Sequence, residues 1–296
     1  MLTRRRWMGV GAAGLALGCG YPVVVEPRWL ELTRTRVRLG RRGEAAGVRI
    51  LHLTDLHASW LVPLWQIEEA FTAGLAENPD VICLTGDFIS HREDFDAAAY
   101  AALLRRMTAG RPAFAVLGNH DGGSWAGARR GHSDHRVVER ILEEAGVHLL
   151  HNRAMEVEVR GARWTMAGVG DWWSEEVDAE RAFRGVKADG RVIALSHNPD
   201  AKEALGGYAW DLMLCGHTHG GQVVIPFVGP HYAPVRDKRF VAGLCDWNGR
   251  PIYVSRGVGH FASVRFRCRP EATVLEVKAG GEARTGPWGV VDSLNG

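Results

Sequence analysis

The feature that most constrains this chain is a set of five short polar blocks, each placed directly behind a run that reads as a buried strand. They are Asp55-Leu56-His57, Gly86-Asp87, Gly118-Asn119-His120-Asp121, Ser196-His197-Asn198 and Gly216-His217-Thr218-His219. Loops at the carboxyl ends of strands are where α/β sheets build their sites, so five separate segments can converge on one crevice. The first three strands, at 48–54, 81–85 and 113–117, alternate with helical patterns at 64–77 and 95–108, a βαβαβ opening. A helix over 133–145 follows with Ser133 as its cap. Helix-poor strands then run at 148–150, 155–159, 164–169, 192–196, 211–215, 222–225, 252–255 and 272–277. Alternation in the first half and bare strands in the second predict an α/β fold, a four-layer α/β/β/α sandwich of two mixed sheets flanked by helices.

No linker divides the chain, and 296 residues with 46% hydrophobic side chains can bury a substantial core. The reading is one domain over 45–280, preceded by a leader at 1–20 and a segment at 21–44, with a tail at 281–296. The net charge of +2 does not mark a polyanion binder, and no nucleic-acid partner is expected. The local run Arg34, Arg36, Arg38, Arg41, Arg42 and Arg49 reads as a solvated strand edge.

The residue types of the blocks decide what the crevice binds. Asp, His and Asn without cysteine offer oxygen and nitrogen ligands suited to manganese, iron or zinc, and too rich in nitrogen for calcium. Asp55-x-His57 can chelate one ion, His217-x-His219 can send one imidazole to each of two ions, and Asp87 can bridge them. Backbone crowded around two ions and a phosphate explains Gly86, Gly118 and Gly216. A single Asp-x-His or His-x-His is a common coincidence; five blocks in this order are not.

That ordered set resembles the calcineurin-like metallophosphoesterases, and the resemblance covers most of the chain. Neighbouring stretches, among them Glu26-Pro27-Arg28-Trp29-Leu30, Val254-Ser255-Arg256-Gly257 and Cys268-Arg269-Pro270-Glu271, resemble the exported bacterial branch. The resemblance implies the metallo-dependent phosphatase fold. It implies two divalent or trivalent ions, the first held by Asp55, His57, Asp87 and His219, the second by Asp87, Asn119, His197 and His217. A hydroxide bridging the ions would attack phosphorus in line, and His120 would serve the leaving oxygen. The implied activity is hydrolysis of a phosphodiester or pyrophosphate bond in a small or lipid-linked substrate. Alternatives are a UDP-2,3-diacylglucosamine pyrophosphatase, a phospholipid phosphoesterase, or a metal-binding scaffold without turnover.

One departure narrows the substrate. The protein phosphatases of this superfamily continue their Gly-Asp with Asp-Arg-Gly, whereas this chain reads Gly86-Asp87-Phe88-Ile89-Ser90-His91-Arg92, so a phosphoprotein is not expected. The partner that orients His120 is left open, with Asp121 the nearest candidate and a plain loop carboxylate the other reading. His91 and Arg256 allow two readings, a contact to phosphate or an ordinary polar surface residue, and the second is the plainer. Trp60, Leu61, Val62, Leu64 and Trp65, after the first block, read either as a helix packing on its sheet or as an apolar rim for a lipid-bearing substrate, and Trp172 and Trp173 allow the same two readings.

Thr3-Arg4-Arg5-Arg6-Trp7-Met8 before the weakly apolar run 9–17 reads as a twin-arginine export signal, too short for a spanning helix. Ala16-Leu17-Gly18-Cys19 also fits a lipoprotein signal, which would place the protein outside the cytoplasmic membrane, lipid-anchored if Cys19 is modified. Cys83 and Cys215 read as buried strand residues; Cys245 and Cys268 are a pair that could form a disulfide in an oxidising compartment, but a chain of this size does not need such a staple.

Overall fold

The computed structural model describes residues 20–39, 47–90, 95–230, 232–260 and 262–279. The leader up to Cys19, Arg41 and Arg42, His91 and Arg92, His231 and the tail from 281 lie outside the described residues. The first half runs β1 (Glu31–Leu39), β2 (Val48–Leu53), α1 (Leu64–Leu75), β3 (Val81–Thr85), α2 (Ala97–Thr108), β4 (Ala113–Val116), α3 (Gly123–Gly127), α4 (Arg136–Ala145) and β5 (His148–Leu149). The second runs β6 (Arg153–Val159), β7 (Ala162–Gly168), α5 (Ala179–Ala182), β8 (Val192–Leu195) and β9 (Leu212–Cys215). It closes with a hairpin of β10 (Val224–Ile225) and β11 (Gly229–Pro230), then β12 (Gly243–Trp247), β13 (Arg250–Val254) and β14 (Glu271–Ala279).

Two six-stranded mixed sheets result, ordered β1-β14-β2-β3-β4-β5 and β12-β13-β9-β8-β7-β6. Strand alternation distributes their side chains. Along β2, Ile50 points to the layer between the sheets while Leu51 and Leu53 pack under the helices with Ile67 and Phe71 of α1. The inter-sheet core joins Val81, Cys83, Phe114 and Val116 to Trp164, Met166, Ile193, Leu195 and Leu214. A third cluster covers the outer face of the second sheet with Ala182, Phe183, Leu205 and Trp210. The order of layers is helix, sheet, sheet, helix, as expected. Because β2 to β5 run parallel, as do β7, β8, β9 and β13, their carboxyl ends open on one edge of each sheet.

Not every expectation is met. Ser133 does not cap α4; His135 occupies the N-cap position, without a side-chain hydrogen bond, and the helix begins at Arg136. The strand β12 pairs with β13 although its sequence, Gly-Leu-Cys-Asp-Trp, carries no clean alternation. Cys245 and Cys268 are free thiols; Cys268 lies buried against the His219 carbonyl. The arginine run does form an edge strand, β1, where Arg34 pairs with Glu77 and Arg36 with Glu276, exposed ion pairs worth little to stability. Among the described residues no helix is long and apolar enough to cross a membrane.

Candidate metal centre

The five blocks meet. Each follows its strand directly, β2, β3, β4, β8 and β9 in turn, and backbone bonds lace the loops together: Asp55 N donates to Gly86 O at 2.9 Å, His57 N to Asp87 O at 2.9 Å and Gly216 N to His197 O at 2.9 Å. Approach is so close that a Cβ on Gly118 would run into Asp87 Oδ1, and one on Gly216 into Asp55 Oδ2. This is the crowding for which glycine is needed. A contribution from β13 was not foreseen: Val258 N donates to Thr54 O at 3.0 Å, so the Ser255-Arg256-Gly257 turn backs the first block.

Asp87 is the hinge of the arrangement. Its Oδ2 lies 3.5 Å from His57 Nε2 on one side and 3.2 Å from His197 Nε2 on the other. On the first side, His57 Nε2 is 3.1 Å from His219 Nε2, which is 3.2 Å from Asp55 Oδ1. On the second, His197 Nε2 is 3.1 Å from His217 Nδ1. Two groups therefore share one carboxylate, Asp55-His57-Asp87-His219 and Asp87-His197-His217, with the donor atoms of each within 4.8 Å of one another. Asn119 is buried with its Oδ1 lacking a hydrogen-bond partner.

The remaining ring nitrogens are held from behind. His197 Nδ1 lies 2.8 Å from the Thr85 carbonyl and donates there, which turns Nε2 toward Asp87. Burial disfavours charge on this ring, but Asp87, with Asp55 and Asp171 behind it, raises it to about 10, so Nε2 carries a proton that a metal ion would displace. His57 Nδ1 lies 3.2 Å from Ser90 Oγ. Burial drives the imidazoles of His57, to about 3, and of His217 and His219 well below their ordinary values, so these three are neutral near pH 7. Burial pushes Asp55 up to about 6 and Asp121 up to about 7, with neighbouring Asp87 adding to both. Burial would also raise Asp87, but the histidines around it, His197 first, hold it well below the carboxylate range.

These observations test whether metal ions fit. His57 Nε2 and His219 Nε2 face each other at 3.1 Å beside Asp55 Oδ1, and His197 Nε2 faces His217 Nδ1 at 3.1 Å beside Asp87 Oδ2, so nitrogen and carboxylate donors crowd into two small volumes. Cations are the partners such a donor set accommodates, and the Asn119 oxygen is oriented without another. The backbone agrees. Asp55, His57, Asp87, His217 and His219 all adopt positive φ, of 51, 49, 53, 69 and 50°, a left-handed region costly for residues with a Cβ. Strain concentrated on five of seven candidate ligands is tolerated where the position of a side chain matters more than local stability. The residues present fit a pair of metals.

His120 lies beside these groups. Its ring is edge-on to His57 with centroids 5.0 Å apart, and its Nδ1 is 3.1 Å from the Ser90 carbonyl. Asp121, the sequence candidate for orienting it, is used elsewhere. Its carboxylate accepts from Phe88 N at 2.6 Å, Ile89 N at 3.3 Å and Gly118 N at 2.8 Å, tying the second block to the third. Arg256 is not a surface residue: it is ion-paired to Glu31 at 3.0 Å and Glu271 at 3.1 Å.

A cleft of about 270 Å³ opens over the donors, lined by Asp87, Asn119, His120 and His217 below and by Trp125, Trp173 and Tyr232 above. Trp173 stands edge-on to His217 at 4.2 Å, Trp125 edge-on to His120 at 4.8 Å, and the two indoles face each other at 5.4 Å. Of the tryptophans singled out in the sequence, Trp173 reaches the cleft. Val62 is buried in the core and Leu61 and Leu64 pack against it, as a helix packing on its sheet requires, while Trp60 and Trp65 are 74% and 52% exposed. Trp125 was missed because the five-residue helix α3 offers no periodicity to read.

Residues 48–221 match the family model for calcineurin-like phosphoesterases. The chain belongs to the calcineurin-like phosphoesterase family and is a hydrolase of phosphoester bonds. It is 39% identical over 279 residues to Phosphodiesterase YaeI of Escherichia coli strain K12, covering 94% of this chain and 100% of that protein. It is 26% identical over 301 residues to UDP-2,3-diacylglucosamine pyrophosphatase LpxG of Chlamydia muridarum, covering 85% of this chain and 90% of that one. Among solved structures, the NAD nucleotidase NadN of Haemophilus influenzae superposes with a TM-score of 0.50 at 16% identity, over 80% of this chain. The chain spans about half that structure's length, covering 50% of it, and the likeness concerns the fold alone.

Proposed function

We propose that this protein hydrolyses a phosphodiester or pyrophosphate bond at a pair of metal ions in this crevice. The observation that carries the reading is Asp87 Oδ2 between His57 Nε2 at 3.5 Å and His197 Nε2 at 3.2 Å, one carboxylate common to two sets of donors. Asp55, His57, Asp87 and His219 would hold one ion, and Asp87, Asn119, His197 and His217 the other. Ions of the manganese, iron or zinc type would supply an acidified water as nucleophile and neutralise charge on the phosphoryl oxygens. The chain's own residues do the rest. Ser90 O accepts from His120 Nδ1, so Nε2 is the ring nitrogen left to serve a leaving oxygen. Trp125 and Trp173 exclude water from that side of the cleft and offer an apolar surface to the leaving group.

The diester reading is supported by the similarity to YaeI, and the pyrophosphate reading, with a lipid-linked substrate, by that to LpxG and by the apolar wall of the cleft. The leader supports export by the twin-arginine route, with lipidation of Cys19 as a possible anchor. The site is tested with His120→Asn. Turnover of a substrate with a poor alkyl leaving group should fall by about 10²–10⁴, the range for losing a general acid, while the metal content is kept. For bis(p-nitrophenyl) phosphate, whose leaving group hardly needs a proton, the loss should be much smaller. Equal losses on both substrates would remove His120 from proton transfer.

A further inference from the structure

Every large apolar side chain exposed among the described residues lies on segments 21–30, 57–66 or 222–232, Met155 excepted. The β10–β11 hairpin ends in Phe227, fully exposed, and Val228, 68% exposed; the turn at Tyr21–Val25 leaves Val24 59% exposed. One segment joins the three regions. Pro22 O accepts from Arg265 N at 2.8 Å, and the next residue, Phe266, donates to Gln222 O at 2.8 Å and accepts from Val224 N at 2.9 Å at the hairpin base. At its other end the same segment offers Pro27 O to Gln66 Nε2 at 2.9 Å, beside Trp65. Exposed apolar residues scattered singly need no explanation, but a set gathered on hydrogen-bonded neighbours does.

Charge says what covers it. The three segments, with residues 257–270 that connect them, contain one carboxylate, Glu26, which is buried and accepts from Cys268 N. Against it stand Arg28 and Arg267, both exposed, and Arg269, whose guanidinium lies 4.2 Å over the Trp29 ring. A second copy of the chain would set arginine against arginine. Anionic headgroups would complement them, and tryptophan, arginine and short apolar side chains together suit the boundary between headgroups and acyl chains. We propose that this surface seats the protein on a bilayer carrying anionic phospholipid, with the Phe227–Val228 tip entering the headgroup region. Gln222 and Tyr232, on either side of the hairpin, line the cleft, so the site opens beside the lipid. The inference does not depend on which bond is cleaved.

The test compares the full chain with a Phe227→Ser, Val228→Ser double variant in cosedimentation with phosphatidylcholine vesicles containing or lacking phosphatidylglycerol. Both proteins keep residues 1–19, so their difference reads the hairpin. The variant's partition coefficient should fall at least tenfold, the wild type should bind several-fold less without phosphatidylglycerol, and bis(p-nitrophenyl) phosphate hydrolysis free of vesicles should stay within twofold. As a second readout, Phe227→Trp should gain emission that brominated lipid quenches. Unchanged partition together with no quenched gain overturns the proposal. So does a wild-type dimer that the double variant dissolves without a change in vesicle binding, which assigns the surface to a second copy.

Discussion

The floor of the cleft and its wall are built on opposite terms. The floor is fully buried polar chemistry: Asp55, His57, Asp87, His197 and His217 on short loops held in strained conformations by their neighbours' backbone. The wall is aromatic, with Trp125 on a single helical turn, Trp173 on the loop after β7 and Tyr232, 73% exposed, beyond the β10–β11 hairpin. Buried polar groups must all find partners, so a floor of this kind tolerates little variation and defines a reaction. A half-exposed apolar wall carries no such demand and is free to define a substrate. On the proposed reading the floor sets the reaction and the wall the substrate.

The comparison can be broken most severely at the floor. Removing the metals with a chelator should abolish hydrolysis of every substrate alike, restored by one of manganese, iron or zinc; activity that survives dialysis against chelator would leave the floor a polar network and nothing more. A smaller effect is expected between floor and scaffold. Asp121→Ala leaves three buried backbone N–H groups without an acceptor, so thermal unfolding should show a loss of about 1–3 kcal/mol or more. An unaltered melting temperature would mean the loops are held without that carboxylate. The smallest effect belongs to the wall. Trp173→Ala removes one aromatic surface worth about 1 kcal/mol, so KM for a bulky apolar substrate should rise by roughly fivefold with kcat nearly kept, and p-nitrophenyl phosphate should barely notice. A fall in kcat for both substrates would make Trp173 part of the floor.

Legibility followed the same division. Asp55, His57, Asp87, Asn119, His197, His217 and His219 could be picked out because strand-length apolar runs precede them and glycines mark the close approaches, and the structure gathers all seven in one crevice. The four-layer order was legible from helix alternation that stops halfway along the chain. What escaped lacks a local pattern. Ser90 holds His120 through its carbonyl, and a carbonyl has no letter in the sequence; Asp121 was the nearest side chain that could be read, and its three bonds to backbone give it a different task. Positive φ at Asp55, His57, Asp87, His217 and His219 could not be read because aspartate and histidine, although they enter the left-handed region more readily than most residues, do so in a small minority of cases. Trp125 and the hairpin tip lie in elements of five and two residues per strand, too short to show a period.

The central claim is that Asp87 holds two ions in common, and metal content per chain tests it most directly. Wild type reconstituted with manganese or zinc and freed of excess should carry two ions, measured by elemental analysis against protein concentration. Asp87→Asn keeps the shape of the side chain but removes the shared charge, and should bind fewer ions and lose hydrolysis in parallel, with its fold intact by circular dichroism. Two ions retained in Asp87→Asn, or no more than one in the wild type at saturating metal, would contradict the account.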